Sequence, residues 1–334
     1  MPPEKHRSTV RTNSPMRFSI AMTTFNGERY LREQLASISD QTRLPDEVVV
    51  CDDGSSDCTM EMVREFAAAS PFPVRVMENA VRLGVTRNLE KSIGLCDGEL
   101  IALCDQDDIW HTDKLEKLEQ VFVAKPDVGL VFTDAELIDE ASQPIGNGLW
   151  RAVGFDRKKQ RMIAEGRAVE LLLAHCVVTG STVAFRSKYR ETILPLNAEG
   201  FLFHDGWWTL IIAALAGITC IEEPLMKYRQ HLDQQKGTRD MRTNLWRTRK
   251  TDRAYYLAQA SQFEEMFNRL ICNGHSPSDR VLGPIRSKIA HLQVRAAMPP
   301  QRLRRLPFIV RESVNRHYAQ FSRGLASAAK DFLF

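Results

Sequence analysis

ELIALCDQDDIW, residues 99–110, decides the fold of this chain: a short apolar run from Leu100 to Cys104 breaks off into Asp105, Asp107 and Asp108. An apolar run of this length bounded by turn formers is a buried strand, and three carboxylates at its end repel one another unless positive charge sits among them. A divalent cation is the simplest such charge. The competing reading is a solvated acidic turn, with Asp108 capping a helix that begins near Thr112.

Outward from this stretch, strand and helix alternate. Residues 18–24 form a β-type run, and Leu31, Leu35 and Ile38 then recur at helical spacing until Pro45 breaks the pattern. Residues 48–51 read as a second strand ending in Asp52, Asp53 and Gly54, and Ser55, Ser56 and Asp57 supply cap chemistry for a helix to about Ala69. A strand over 74–77 and a helix over 86–96 lead into the quoted stretch. This order predicts an α/β fold with a mostly parallel sheet flanked by helices on both faces. Leu115, Leu118 and Phe122 mark a further helix and 128–133 a further strand. Residues 134–168 read as loops or a small excursion, 179–185 as a strand, 207–216 as a helix and 218–221 as a short strand. After Gly237 no β signal returns, and 251–270 and 281–297 read as basic helices. The expected division is a tail over 1–15, a catalytic domain over 16–236 and a basic helical extension over 237–334.

The charge balance supports two regions. Residues 236–334 hold 19 Lys/Arg against 7 Asp/Glu, and residues 1–235 hold 26 against 35, so nets of +12 and −9 hide within the overall +3. Such a basic extension suits an anionic membrane surface, or packing against the domain or a second copy in a dimer, while no nucleic-acid-binding module accompanies it and no nucleic acid is expected. The seven cysteines are scattered, never in a C-x-x-C pair, and read as reduced buried side chains of a cytoplasmic protein. Residues 1–15 carry no apolar centre and so no signal peptide, and the apolar run at 210–221 is too short to span a bilayer.

Ligands of open α/β sheets bind beyond the carboxyl ends of the strands, here at Thr24, Asp52 with Asp53, and Asp105 with Asp107. Asp105-Gln106-Asp107 turns alternate side chains toward one hard cation, Mn²⁺ or Mg²⁺. Asp52 and Asp53 read as a turn and cap or as acceptors for a ribose or base. Arg87 and Asn88 read as surface-helix residues or as contacts to base or phosphate. Asp205, in His204-Asp205-Gly206-Trp207-Trp208, reads as a helix cap or as a general base for a sugar hydroxyl. Trp207 and Trp208 read as core side chains or as a platform for a sugar ring. His231 reads as a surface histidine or as a completing metal ligand.

Taken together, residues 19–26 (SIAMTTFN), 52–55 (DDGS), 83–88 (LGVTRN), 105–108 (DQDD) and 204–205 (HD) resemble the family 2 glycosyltransferases of GT-A fold. Within that family the chain looks most like bacterial cell-surface glycan enzymes, including rhamnosyltransferase-like members. The resemblance implies inverting, metal-dependent transfer of one sugar from a UDP-, dTDP- or GDP-sugar to a hydroxyl of a glycan or lipid-linked acceptor. It places Thr24, Asp52, Asp53, Arg87 and Asp105 at the nucleotide, Asp105, Asp107 and His231 at the metal, and Asp205 as the base. Gly180 and Ser181 align with the acceptor-side loop, where Trp207 and Trp208 would also lie. Two departures stand out: His204 occupies a position where many members have Glu, and the Q-x-x-R-W motif of processive members is absent. The second favours single addition. A nucleotidyltransferase would need a basic, glycine-rich phosphate loop after the first strand, which residues 25–28 (FNGE) do not provide. A non-catalytic sugar-nucleotide scaffold is the other alternative.

Overall fold

A computed structural model describes residues 15–196, 204–232, 234, 253–272 and 277–333. Except for Pro15, the expected N-terminal tail lies outside the described residues, as does the expected boundary at Lys236. In chain order the elements are β1 Phe18–Thr24, α1 Leu31–Ser39, β2 Glu47–Asp52, α2 Thr59–Ala69, β3 Val74–Glu78, α3 Val85–Leu95, β4 Leu100–Cys104, β5 Ile109–Trp110, α4 Lys114–Ala124 and β6 Val128–Ile138. The short helices α5 Leu149–Val153, α6 Arg157–Ala164 and α7 Ala168–Leu172 follow, then β7 Val183–Arg186, α8 Arg190–Ile193, α9 His204–Leu215 and β8 Gly217–Arg229. The chain ends in α10 Arg253–Cys272, α11 Asp279–Ala296, α12 Arg302–Val314, α13 His317–Phe321 and α14 Leu325–Leu333.

The eight strands form one sheet in the order β3-β2-β1-β4-β7-β6-β8-β5. β1 to β4 pair in parallel as the βαβ pattern predicts, but β7 runs antiparallel to both β4 and β6, and β5 antiparallel to β8. The sheet is therefore mixed rather than simply parallel. Strand periodicity builds its two cores. Ile20, Met22, Val48, Val50, Leu100 and Ala102 face α1, α2 and α4, whereas Ala21, Val49, Cys51, Ile101 and Leu103 face α3 and α9. α9 is apolar nearly all round; α10 covers its outer side and α11 packs on α10 and α7, so that Tyr256, Phe263, Met266, Leu270, Ile285 and Leu292 join the core that holds Trp207 and Trp208. The basic helices thus pack on the sheet domain.

Three expectations change here. Residues 180–182 are a 3-10 turn, which leaves β7 only four residues long. The strand expected at 218–221 runs on to Arg229, because β6 also continues to Ile138 and its ladder carries the polar segment Glu222-Glu223-Pro224 across register shifts. Not all the cysteines are buried, since Cys58, Cys176 and Cys272 are exposed. All seven are free thiols. Among the described residues no helix is long and apolar enough to cross a membrane.

Candidate active site

β1, β2 and β4 end side by side and form one rim. Thr24 Oγ1 donates to Asp52 Oδ1 at 2.8 Å, the Ser55 hydroxyl donates to the same oxygen at 2.5 Å, and the N–H groups of Gly54 and Ser55 reach Oδ2 at 3.0 and 2.8 Å. Gly54, at φ +82°, supplies the left-handed turn that aims those amides back. Asp52 is fully buried, so its part is to knot the end of β2 rather than to meet a nucleotide directly. Asp53 turns the other way. It accepts the N–H of Leu83 at 2.6 Å, the N–H of Gly84 at 2.8 Å and the Asn79 amide at 3.0 Å, and so fixes the loop that opens α3. Arg82, 3.9 Å from Asp53 and 3.8 Å above the Phe25 ring, lines the same side. Arg87 is exposed in the first turn of α3 and paired with Glu90 at 2.8 Å. Asn88 is buried and donates to the Cys51 carbonyl at 2.7 Å, a structural role.

The acidic loop is held at three points. Gln106 turns away from its neighbours and clamps the Phe25 backbone, accepting its N–H at 2.8 Å and donating to its carbonyl at 3.0 Å. β5 pins the far end of the loop to β8, with Ile109 opposite Lys227. Asp105 is left exposed and Asp107 half-buried, while Asp108 is fully buried and accepts the Arg229 N–H at 3.1 Å. That corrects the helix-cap reading of Asp108: α4 begins only at Lys114, and Asp108 belongs to the floor of the site. Ligand oxygens of the three carboxylates lie within 4.8 Å of one another. Asp105 is exposed at its tip, yet protein surrounds it on its other sides; this desolvation, then the charges of Asp107 and Asp205, pushes its pKa up to about 7. Burial, then Asp107 and Asp105, pushes Asp108 well up. Asp108 Oδ2 and the buried Ser181 hydroxyl do not close to hydrogen-bond geometry, though the hydroxyl still eases the charged form of the acid.

Two buried cations brace this floor. Lys114 Nζ donates to the Ser181 carbonyl at 2.9 Å and lies 4.0 Å from the Trp110 ring centre; burial pulls its pKa down to about 8 against the pull of Cys104, Asp108 and Asp105. The fully buried Arg229 donates to the Asp107 carbonyl at 2.8 Å, to Ser142 Oγ at 2.9 Å and to Glu33 at 2.8 Å, with its guanidinium 4.5 Å from the Tyr30 ring centre. Just past the end of β8, His231 Nε2 sits 2.8 Å from Asp107 Oδ2, so the expected metal-site histidine does reach the acidic loop. Neither Lys114 nor Arg229 stood out in the sequence.

Asp205 comes from a separate element, the first turn of α9. It meets Gly180: a Cβ there would lie 2.7 Å from Asp205 Oδ1 and 3.5 Å from the Trp208 ring. Glycine at this point is what lets the loop before β7 approach the carboxylate. Ser181 is buried beside it. Trp207 and Trp208 are fully buried, with Trp207 Nε1 donating to the Ile193 carbonyl at 3.1 Å; their place is in the core behind the site rather than on a surface that an acceptor sugar could touch. The His204 side chain lies outside the described residues.

The donor chemistry at Asp105, Asp107 and Asp108, with His231 alongside, fits a hard divalent cation. A second donor set, His291, Glu312 and His317, lies in the C-terminal helices with its ligand atoms also within 4.8 Å of one another. Its two imidazoles per carboxylate suit a softer ion such as zinc.

Residues 19–191, just over half of the chain, match the family described as Glycosyl transferase family 2. An uncharacterized protein of Mycobacterium bovis is 26% identical over 282 residues, which span 80% of this chain and 72% of its own. The UDP-Glc:alpha-D-GlcNAc-diphosphoundecaprenol beta-1,3-glucosyltransferase WfgD of Escherichia coli is 31% identical over 124 residues, 37% of this chain and 47% of its own. In fold, the chain is similar to S. aureus TarS 1-349 in complex with UDP-GlcNAc, at a TM-score of 0.58 and 15% identity over 95% of this chain and 89% of that one. The rim, the acidic loop and the carboxylate of α9 therefore belong to an enzyme of sugar transfer: the chain is a member of glycosyl transferase family 2, with a GT-A-like fold.

Proposed function

We propose that the enzyme moves a single sugar, with inversion, from a UDP-, dTDP- or GDP-sugar to a hydroxyl of a glycan or lipid-linked acceptor in cell-surface polysaccharide synthesis. The observation that carries this reading is the acidic loop itself: ligand oxygens of Asp105, Asp107 and Asp108 within 4.8 Å of one another, His231 Nε2 2.8 Å from Asp107, and the carboxylate of Asp205, from α9, against Gly180. The strand end that Thr24 and Asp52 knot together and the loop anchored by Asp53 border the nucleoside, with Arg87 beside them. Asp105, Asp107 and His231 hold the cation, Mn²⁺ or Mg²⁺, which when bound offsets the negative charge of the diphosphate. Asp205 takes the proton of the acceptor hydroxyl. The hydroxyl oxygen bonds to the anomeric carbon on the face opposite the nucleotide, the bond from that carbon to the diphosphate oxygen breaks, and its electron pair leaves with the nucleoside diphosphate. Gly180 and Ser181 bound the acceptor side. Lack of a processive motif supports one addition per acceptor, and the diphosphoundecaprenol acceptor of WfgD, to which the chain is similar, supports a lipid-linked acceptor here.

Purified enzyme with each nucleotide, with and without Mn²⁺, should show a melting-temperature rise for one base that depends on the cation. Asp205→Asn should keep that rise and lower transfer about 10²- to 10⁴-fold. Wild-type rates in a folded Asp205→Asn protein remove the base assignment, and activity that survives thorough chelation removes the cation from the reaction.

A further inference from the structure

We propose that α12 lays its outward face on an anionic lipid surface, an inference that rests on the reading above for its purpose and on α12 itself for its evidence. Of the residues of α12 only Ile309 and Glu312 are buried. On the opposite side Leu303, Leu306, Val310 and Val314 are 74%, 42%, 57% and 74% exposed. At about 100° per residue these four side chains, with Pro307 among them, fall in one contiguous stripe. Arg302 borders the stripe on one edge, and Arg304 and Arg311 on the other; all three are exposed. Arg311 lies 3.7 Å from the buried Glu312, and the surrounding segment offers these cations no exposed counter-charge. Residues 301–333 contain seven Lys/Arg and two acids, Glu312 and Asp331, which are only 2% and 6% exposed.

The inward face is fastened. Glu312 accepts from His291 at 2.7 Å and from His317 at 2.8 Å, and Arg305 turns in to donate to the Asp331 carbonyl at 2.9 Å. A helix already folded and anchored loses little conformational freedom when its outer face docks. An apolar stripe between arginine borders is the pattern of a helix lying in the lipid headgroup layer, with guanidinium groups at phosphate level. A second copy of the chain fits this face poorly, because two such faces in contact would set arginine against arginine. A protein partner would have to supply an acidic rim.

The test uses the full chain with vesicles of phosphatidylcholine alone or mixed with phosphatidylglycerol. Wild-type protein should partition onto the anionic vesicles at least about tenfold better than onto the neutral ones, and added salt should weaken the binding. Leu303→Glu with Val310→Glu should lower that partition about tenfold or more, and Arg302→Gln with Arg304→Gln and Arg311→Gln should remove most of the preference for anionic lipid. Melting and the nucleotide-with-Mn²⁺ shift verify that each variant is folded and separate this question from that of the reaction. Equal binding to both vesicles, unchanged binding by the Leu303/Val310 variant, or a wild-type dimer that this variant turns into a monomer overturns the proposal. The last outcome assigns the face to a second copy.

Discussion

Gly180 and Arg229 are the residues on which the site geometry depends most directly. Alanine at Gly180 would put a methyl group 2.7 Å from Asp205 Oδ1, so the carboxylate must retreat. Gly180→Ala should therefore lower kcat about tenfold or more, as expected for a displaced catalytic group, with the nucleotide-dependent melting shift unchanged. A loss of that shift would mean that the loop serves the donor rather than the acceptor. Arg229→Lys keeps the charge but cannot reach Asp107, Ser142 and Glu33 together, so it should cost about 2–3 kcal/mol of stability and raise the Mn²⁺ concentration needed for activity. Calorimetry and a Mn²⁺ titration check both effects. The carboxylates of this site were legible in the sequence because strand ends and spacing mark them. Lys114 and Arg229 were not, since basic side chains are by default on the surface and only tertiary packing shows that these two are buried beneath acids.

The parallel half of the sheet was legible from its apolar runs, as were α1 and α4 from their spacing. β8 was read short because Glu222, Glu223 and Pro224 interrupt its pattern, although partial exposure of that stretch is what allows them there. His231 consequently looked like a surface residue until the longer strand delivered it to Asp107. α11 offers a pH test of a different buried charge. Lys288 is buried, donates to the Phe321 carbonyl at 2.5 Å and faces the Phe263 ring, while burial, and then Arg295, pulls its pKa from 10.5 down to about 7. Between these values the unfolded chain binds a proton that the native chain does not, so stability rises with pH from about 7 to about 10.5 and is lost as pH falls through that window. Lys288→Met should flatten this part of the stability curve and gain about 1 kcal/mol at pH 7, the lost hydrogen bond to Phe321 offsetting part of the relief. Parallel curves for the two proteins in urea melts across this range would contradict it.

On the scale of the whole molecule, the helical extension completes the core that the sheet domain begins. Arg269 of α10 donates to the Pro195 carbonyl at 2.9 Å and lies 5.0 Å from the Trp207 ring centre, so the last helices reach the element that carries Asp205. Ending the chain at residue 234 should leave α9 uncovered and the protein mostly insoluble on expression; a soluble fragment with a cooperative melt would contradict this. The basic composition of the extension was readable in the sequence, but its packing was not, because the side chains that cover α9 recur on ordinary amphipathic spacing. That packing also sets an order in time. During synthesis β1 to β4 can pair through local βαβ contacts soon after residue 104 emerges, whereas the floor under Asp107 waits for Arg229, and α9 waits for α10 and α11. A nascent chain therefore owns the rim of Thr24, Asp52 and Asp53 long before the carboxylate of Asp205 is fixed in place, and the two sides of the site meet only after the helices that follow β8 have emerged.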